Sequence, residues 1–539
     1  YILRQCGLMA LLGAIGLAFS ITAQYFSARA SVGFASRVRR ELFAHTLALP
    51  RAEADAAGSS SLVTRLTADA DKLQSGVNLG LRLLLRSPFV VFGAMIMAFT
   101  IDTRCALIFA GVIVLLCAVV FSIMLASIPK YRKVQAELDS VTGTVRENLV
   151  GVRVLRAFCR EEEQIRTFDS RSGKLLGLQI NAGKLSALMN PLTLIIINAA
   201  VIILLQSGAI RVNSGSLTQG QVVALYNLMA QILVELIKMA NLFITITKSL
   251  ACADRVAAVM QLDSGANGGN KLPANGSPCG SVEFKNVSFE YKNAGAEALF
   301  DISFFAKPGQ TVGIIGGTGS GKSTLVNLVP NFYSATKGQV LIDGVNADEY
   351  DRAALLSAVS VVPQKAVLFE GTIRSNLLMG NPNASEAELF SALETAQAAE
   401  IVCTKPNGID EPVLRGGSNF SGGQKQRLSI ARALVHGGRI LILDDSASAL
   451  DFATDAKLRA AIRKLSPAPT TFIVSQRAAS VMFADFIIVL DEGRAVGQGT
   501  HEELLRNCAV YREIYASQFP DEAAKLSIPN NTPEGDAAK

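Results

Sequence analysis

Five stretches, at about 2–26, 81–101, 105–128, 188–210 and 217–247, are apolar almost without interruption. Each is near or above the roughly 20 residues that cross a bilayer as a helix. Buried helices of a soluble core would explain one such run. Five in one half of a chain whose other half is polar predict an all-α polytopic membrane domain. Between the first and second runs, 37–74 carries Arg37, Arg39, Arg40 and Arg51; between the third and fourth, 129–184 is dense in Lys and Arg. The other two connections, near Asp102 and over 211–218, are short and nearly neutral. The positive-inside bias puts the long basic loops in the cytoplasm. The last span then runs inward, residue 1 falls on the outer side, and a cytoplasmic N-terminus requires one more span upstream. The long loops carry helical, partly amphipathic patterns and are predicted to extend the spanning helices into the cytosol. Glu235 and Lys238 stand i,i+3 in the last run. They either line a cavity or pair locally near the cytoplasmic interface.

The second half has another rhythm. Residues 256–280 form a linker, rich in Gly, Asn, Pro and Ser from Ser264 onward. Strand-like alternation begins at Ser281, and β and α patterns alternate to about Phe519, predicting an α/β domain. The chain is thus divided into a membrane domain (1–255), a linker (256–280), an α/β domain (281–519) and a polar tail (520–539) expected to be disordered. Composition agrees: half of the 539 residues are hydrophobic, 18% are charged, and mean hydropathy is +0.34, too apolar for an ordinary soluble chain of this size. The net charge of +6 fits basic cytoplasmic loops, and no nucleic-acid partner is read from it. The eight cysteines are scattered without zinc or redox spacing and read as reduced thiols.

The chemistry gathers in the α/β half. Gly316–Thr324 reads GGTGSGKST and fits the phosphate-loop pattern, with Gly316, Gly321, Lys322 and Ser323 at the fixed places and Thr318, Gly319, Ser320 and Thr324 completing it. A β-like run precedes it and a helix-like run follows. Glycines let backbone N–H groups face phosphate oxygens, and the helix N-terminus adds partial positive charge. Lys322 would reach the β/γ-phosphates and the Ser323 hydroxyl would ligate Mg²⁺. The apolar run 439–443 ends in Asp444, an acidic residue at a strand's C-terminal end, where Mg²⁺ is held beside such a loop. Ser421, Gly422, Gly423 and Gln424 precede a helix-like run; they are a helix cap or a set of N–H donors to phosphate. Gln364, after a β-run, can reach the metal or a water. Tyr291 stacks on a purine or is a core-edge aromatic.

Taken together, these residues resemble an ABC exporter half-transporter across nearly the whole length. Tyr291 matches the A-loop aromatic, Gly316–Thr324 Walker A, Gln364 the Q-loop, Ser421–Gln424 the signature, Ile440–Asp444 Walker B, and Ser448–Asp451 the D-loop. SLVTRLTADADKLQ (61–74) and VRENLVGVRVLRAFCREEE (145–163) look like the intracellular loops whose coupling helices dock on nucleotide-binding domains. The family has six spans per half, one more than the five here. Three departures stand out. Asp445 occupies the place of the catalytic Glu, Gln476 that of the switch-loop His, and Arg415-Gly416-Gly417 that of a Glu-Arg-Gly pattern.

The resemblance implies a P-loop nucleotide-binding domain binding ATP and Mg²⁺, with Ser323, Gln364 and Asp444 at the metal and Asp445 and Gln476 in the catalytic positions. It implies a bacterial inner membrane, a cytoplasmic nucleotide-binding domain and a small hydrophobic or amphipathic substrate such as a drug. Two such domains sandwich two ATP molecules, each site taking Walker A and B from one chain and the signature from the other. Altered Asp445 and Gln476 beside an intact Walker A and signature look like the degenerate half of a heterodimeric exporter, whose partner carries Glu and His. A slow homodimeric exporter, an importer built on the exporter fold and an ATP-gated regulatory membrane protein remain as alternatives.

Overall fold

The computed structural model describes residues 2–84, 86–262, 269–272, 280–292 and 294–521. Its contacts divide the chain into two units, Tyr1–Ala44 with Ser60–Gln261, and His45–Ser59 with Leu262–Lys539.

The first unit is helical. Long α1 (Ile2–Ala48) is followed by α2 (Arg51–Ala57), which belongs to the second unit. Then come α3 (Ser59–Thr64), a π turn (Arg65–Asp69), α4 (Ala70–Leu79), a second π turn (Gly80–Leu84) and α5 (Arg86–Ile101). They continue into α6 (Thr103–Val150), α7 (Val152–Ala157), α8 (Glu161–Ala187), α9 (Met189–Asn213) and α10 (Gln219–Met260). Among the described residues, five helical runs are long and apolar enough to cross a membrane; four predicted apolar stretches fall inside one each, and the fifth, 217–247, overlaps the run Gln219–Met239. The basic loops do continue these helices. The cause is local: α6 is capped by Asp102, which accepts from Cys105 N at 2.9 Å, and α10 starts at a capping box between Thr218 and Gln221. The packed centre, from α5, α6, α9 and α10, mixes small Ala94, Ala98, Ala106 and Ala200 with Phe109, Leu204 and Leu225. Small residues let helices approach where lipid supplies no hydrophobic drive. At Gly76 a Cβ would lie 2.2 Å from Ser249 Oγ, so α4 and α10 touch there with no room to spare.

Two boundaries differ from the sequence reading. Helix α10 continues to Met260, five residues into the expected linker, because CADRVAAVM keeps a helical pattern with buried Cys252, Val256 and Val259. Residues 45–59 pack with the second unit rather than with the membrane helices, since their charged and aromatic partners lie there. The tail from 522 and most of the Gly/Asn-rich linker lie outside the described residues.

The second unit is an α/β fold. Strands β1 (Val282–Glu290), β2 (Glu297–Ala306), β4 (Lys337–Ile342) and β5 (Val345–Asn346) form an antiparallel sheet in the order β2-β1-β4-β5. The main sheet has six strands in the order β12-β11-β3-β10-β9-β6. Here β3 is Thr311–Gly316, β6 Val359–Val362, β9 Ile440–Asp444, β10 Thr470–Ser475, β11 Phe486–Asp491 and β12 Arg494–Gly499. A short ribbon pairs β7 (Gly371–Thr372) with β8 (Pro412–Val413). β3, β9 and β10 are buried throughout and pair in parallel, which is why they read as unbroken apolar runs. Their C-terminal ends point one way and deliver Gly316, Asp444 and Ser475 to one edge, the usual place for a ligand in an open parallel sheet.

Candidate active site

The phosphate loop leaves β3 at Gly316 and enters α11 (Lys322–Leu328). Its glycines are required by space and by backbone. A Cβ at Gly316 would sit 2.1 Å from Leu490 O; Gly321, at φ +94°, has Leu299 Cδ2 at 2.8 Å from the same construction. Lys322, 8% exposed, folds back on its loop and donates to Gly316 O at 2.9 Å, to Gly317 O and to Ser320 Oγ at 3.3 Å. Burial holds its ammonium below the usual lysine range, against the pull of Asp445 and Asp444.

Neighbouring strands bring the acidic residues to this loop. Ser323 Oγ donates to Asp444 Oδ1 at 2.8 Å, joining two of the three sequence-predicted metal ligands. Burial pushes the Asp444 carboxyl above its ordinary range; the Ser323 bond pulls it down and Asp445 adds repulsion. Gln364 Nε2 donates to Asp445 Oδ2 at 3.1 Å, so residues 81 apart meet. Asp445 has φ +46°, the left-handed region that Asp tolerates better than most residues. Its N–H donates to Val474 O at 3.0 Å. The donor set of hydroxyl, carboxylate and amide oxygens suits a hard cation. Among the described residues no group of three or more His, Cys, Asp or Glu could hold a metal. Mg²⁺ in such sites is held by one or two carboxylates plus substrate phosphates rather than by a protein cage.

Tyr291 packs edge-on against Phe289 (4.8 Å) and Tyr333 (5.4 Å), and its OH lies 2.9 Å from Thr324 Oγ1. It is half-buried, with one side in the core and the phenol on the phosphate-loop helix. Ser421 caps the helix Gly422–His436 through a capping box with Gln424. Nothing lies within 4 Å of a Cβ built on Gly422, so this helix start is open on that side. Among the described residues no hydrogen bond joins Ser421–Gln424 to the phosphate loop. Asp451 caps the helix Phe452–Arg463, accepting from Thr454 N at 3.1 Å. Gln476 follows β10 with an exposed side chain, while its carbonyl accepts from Gln518 Nε2 at 2.9 Å.

Some contacts escaped the sequence. The segment docked on this unit is α2, upstream of the 61–74 stretch that looked like a coupling loop. Asp55 Oδ2 accepts from Tyr333 OH at 2.7 Å, Glu53 pairs with Lys292, and the Arg51 guanidinium lies 5.8 Å from the Phe332 ring. Burial first, then the Asp55 bond, pushes the Tyr333 phenol up to about 12. In the membrane unit Glu235, 4% exposed, accepts from Ser87 Oγ of α5 at 2.8 Å and from Lys238 at 2.8 Å. It therefore ties α5 to α10. A small apolar cavity of about 70 Å³ nearby is lined by Leu233, Leu236 and Ile237, not by Glu235.

Residues 2–236 match the ABC transporter transmembrane region and residues 299–448 match the ABC transporter domain. An uncharacterized ABC transporter ATP-binding protein of Mycobacterium bovis is 36% identical over 94% of this chain and 88% of its own length. The chain belongs to the ABC transporter family. Another uncharacterized ABC transporter ATP-binding protein, from Bacillus subtilis, is 34% identical over 93% of this chain and 87% of that protein. An ATP-dependent lipid A-core flippase of Aromatoleum aromaticum is 31% identical over 93% and 83%. A solved bacterial Atm1-family ABC exporter with ATP bound shares the fold at TM-score 0.79 and 24% identity, covering 91% of this chain and 86% of that one. The ABC transporter described here is thus an exporter-type half-transporter. It is an integral membrane protein that carries its own ATP-hydrolysing domain, and ABC exporters act as dimers in the membrane.

Proposed function

We propose that this half-transporter moves a hydrophobic or amphipathic compound outward, paired with a different half, and that its own nucleotide site is the slow one of two. Tyr291 would hold the base, Gly316–Thr324 the phosphates, and Ser323, Asp444 and Gln364 an Mg²⁺ ion. Mg²⁺ neutralises charge that develops on the phosphates. Asp445 and Gln476 stand where a general base and a phosphate-sensing residue belong. Ser421, Gly422, Gly423 and Gln424 would present donors to nucleotide bound on the partner, with Asp451 beside them.

The observation that carries the reading is Asp445. Its carboxylate is kept, but on a side chain one methylene short, in a left-handed backbone and bonded to Gln364. A displacement of about 1 Å in a positioned reaction costs about 10²-fold. The open Gly422 face supports donation in trans. The flippase relative supports an amphipathic, lipid-like substrate. The test is ATPase in lipid nanodiscs, for this chain alone and co-expressed with a half-transporter that carries the catalytic Glu and the switch-loop His. Low turnover alone and high turnover together are expected. Ordinary exporter turnover by the chain alone would establish a homodimer and end the degenerate-site reading.

A further inference from the structure

We propose that Arg477 is a positioning residue for ATP hydrolysis, which clamps the turn from Asp445 to Asp451 and so holds both ends of that turn in place. The turn pairs some of its own carbonyls, with Leu450 N donating to Ala447 O at 3.0 Å and Ser448 N to Asp445 O at 3.2 Å, and the rest need donors from elsewhere. Arg477 adds bonds to three carbonyls. One terminal nitrogen donates to Ala447 O at 3.5 Å and Leu450 O at 3.3 Å, the other to Ser448 O at 3.3 Å. The ring of Phe452 covers the guanidinium, 5.2 Å from its carbon. A lysine has no planar fork with which to reach three carbonyls at once.

The clamped turn touches three functional parts. On one side Ser448 donates to Asp445 O twice, from N at 3.2 Å and from Oγ at 2.8 Å. Asp445 in turn holds Gln364. On another side Ala449 O lies 3.0 Å from a Cβ built on Gly423, so the turn abuts the start of the signature helix. At its end Asp451 caps the next helix. A turn that loses Arg477 loses the common support of all three. Arg477 also follows Gln476 directly, and its N–H donates to Ser475 Oγ at 3.0 Å. A shift at Gln476 therefore reaches the turn through one peptide unit.

The inference rests on the placement of hydrolysis at Asp445, so the experiment includes a measurement independent of that chemistry. The full chain in lipid nanodiscs is compared with Arg477→Ala, Arg477→Lys and Phe452→Ala. Amide hydrogen exchange is read over 446–450, affinity is read with a fluorescent ATP analogue, and hydrolysis is read as single-turnover conversion of labelled ATP. In Arg477→Ala, exchange at Ser448 and Leu450 should quicken at least about tenfold and hydrolysis should slow about tenfold, less than the full cost of a 1 Å misplacement. Analogue affinity should stay within about twofold, because no contact of Arg477 reaches the phosphate loop. Arg477→Lys should recover part of the rate, and Phe452→Ala should show the same pattern more weakly. If Arg477→Ala does not fold, those two variants carry the test. Unchanged exchange would overturn the clamp. Faster exchange with unchanged hydrolysis would overturn the positioning role, as would an affinity that falls in step with the rate.

Discussion

Replacing Asp445 by Glu and Gln476 by His should speed hydrolysis at this site and destabilise the domain. The two effects have separate origins. Glu moves the carboxylate outward by one C–C bond, about 1.5 Å. A correctly placed general base is worth about 10²–10⁴-fold, and misplacement by about 1 Å costs about 10²-fold, so recovery of about 10²-fold is expected. The backbone at 445 works against the change. Its φ of +46° is a conformation that costs an ordinary L-residue about 1–2 kcal/mol, part of which a short Asp side chain relieves. Glu also gives up the 3.1 Å bond from Gln364 in its present geometry. A net loss of about 1 kcal/mol corresponds to a Tm lower by about 2–4 °C for a domain of this size. The assay is single-turnover hydrolysis with thermal unfolding measured on the same sample. A parallel series carrying Lys322→Ala shows how much signal comes from the other site. Faster chemistry in a less stable domain separates repaired catalysis from simple tightening. ATP bound as before with no gain in rate would refute the view that these two side chains are what slow the site.

Gly422→Asp should abolish most steady-state turnover of the assembled transporter if, as proposed, this open helix start donates to the partner's nucleotide, since it sets bulk and negative charge there; turnover near wild type would exclude donation in trans. Tyr333→Phe removes the bond to Asp55, whose side chain is 62% exposed, and should cost about 1 kcal/mol locally. Amide exchange over 51–57 should then quicken about fivefold. Asp69→Asn breaks the bidentate pair in which Arg255 donates at 2.9 and 2.7 Å to a carboxylate only 2% exposed. The cost should be about 2–3 kcal/mol, below that of a wholly buried pair because the Arg255 side chain is 45% exposed. The Arg255 hydrogen bonds hold Asp69 below the usual carboxylate range. Their stabilisation is therefore complete above that range and is lost as pH falls through the depressed value. Melting curves should show this acid loss in the wild type and its absence in Asp69→Asn.

What the sequence made legible was contiguous. A spanning helix announces itself over about 20 neighbours, and the phosphate loop holds its glycines, lysine and serine within nine residues. Buried parallel strands announce themselves too, because both faces must be apolar, as at 440–444. What stayed hidden was built from single residues far apart in the chain. Asp55 in a basic loop and Tyr333 after a helix carry no local sign that they meet. Arg477 reads as an ordinary arginine until the carbonyls of 447, 448 and 450 are placed around it. The docking of helix α2 has no local sign for a related reason: RAEADAA has no apolar stripe, and its partners are charges and the rings of Phe332 and Tyr333. Helix lengths beyond the bilayer were foreseen only in kind, since amphipathic pattern fades gradually where membrane gives way to water.

The contact between Gly76 and Ser249 makes α10 a lever with unequal arms. Where a Cβ would collide at 2.2 Å, neither helix can slide closer, so a rigid tilt of α10 that kept this contact would have to turn about it. From Ser249 the helix extends 30 residues to Gln219 and 11 to Met260, about 45 Å and 16 Å at 1.5 Å per residue. A tilt of about 10° then carries the far end through about 8 Å and the near end through about 3 Å. A small displacement delivered where the chain leaves the membrane domain is magnified nearly threefold at the opposite end, and the gearing is set by the place of one glycine in the sequence.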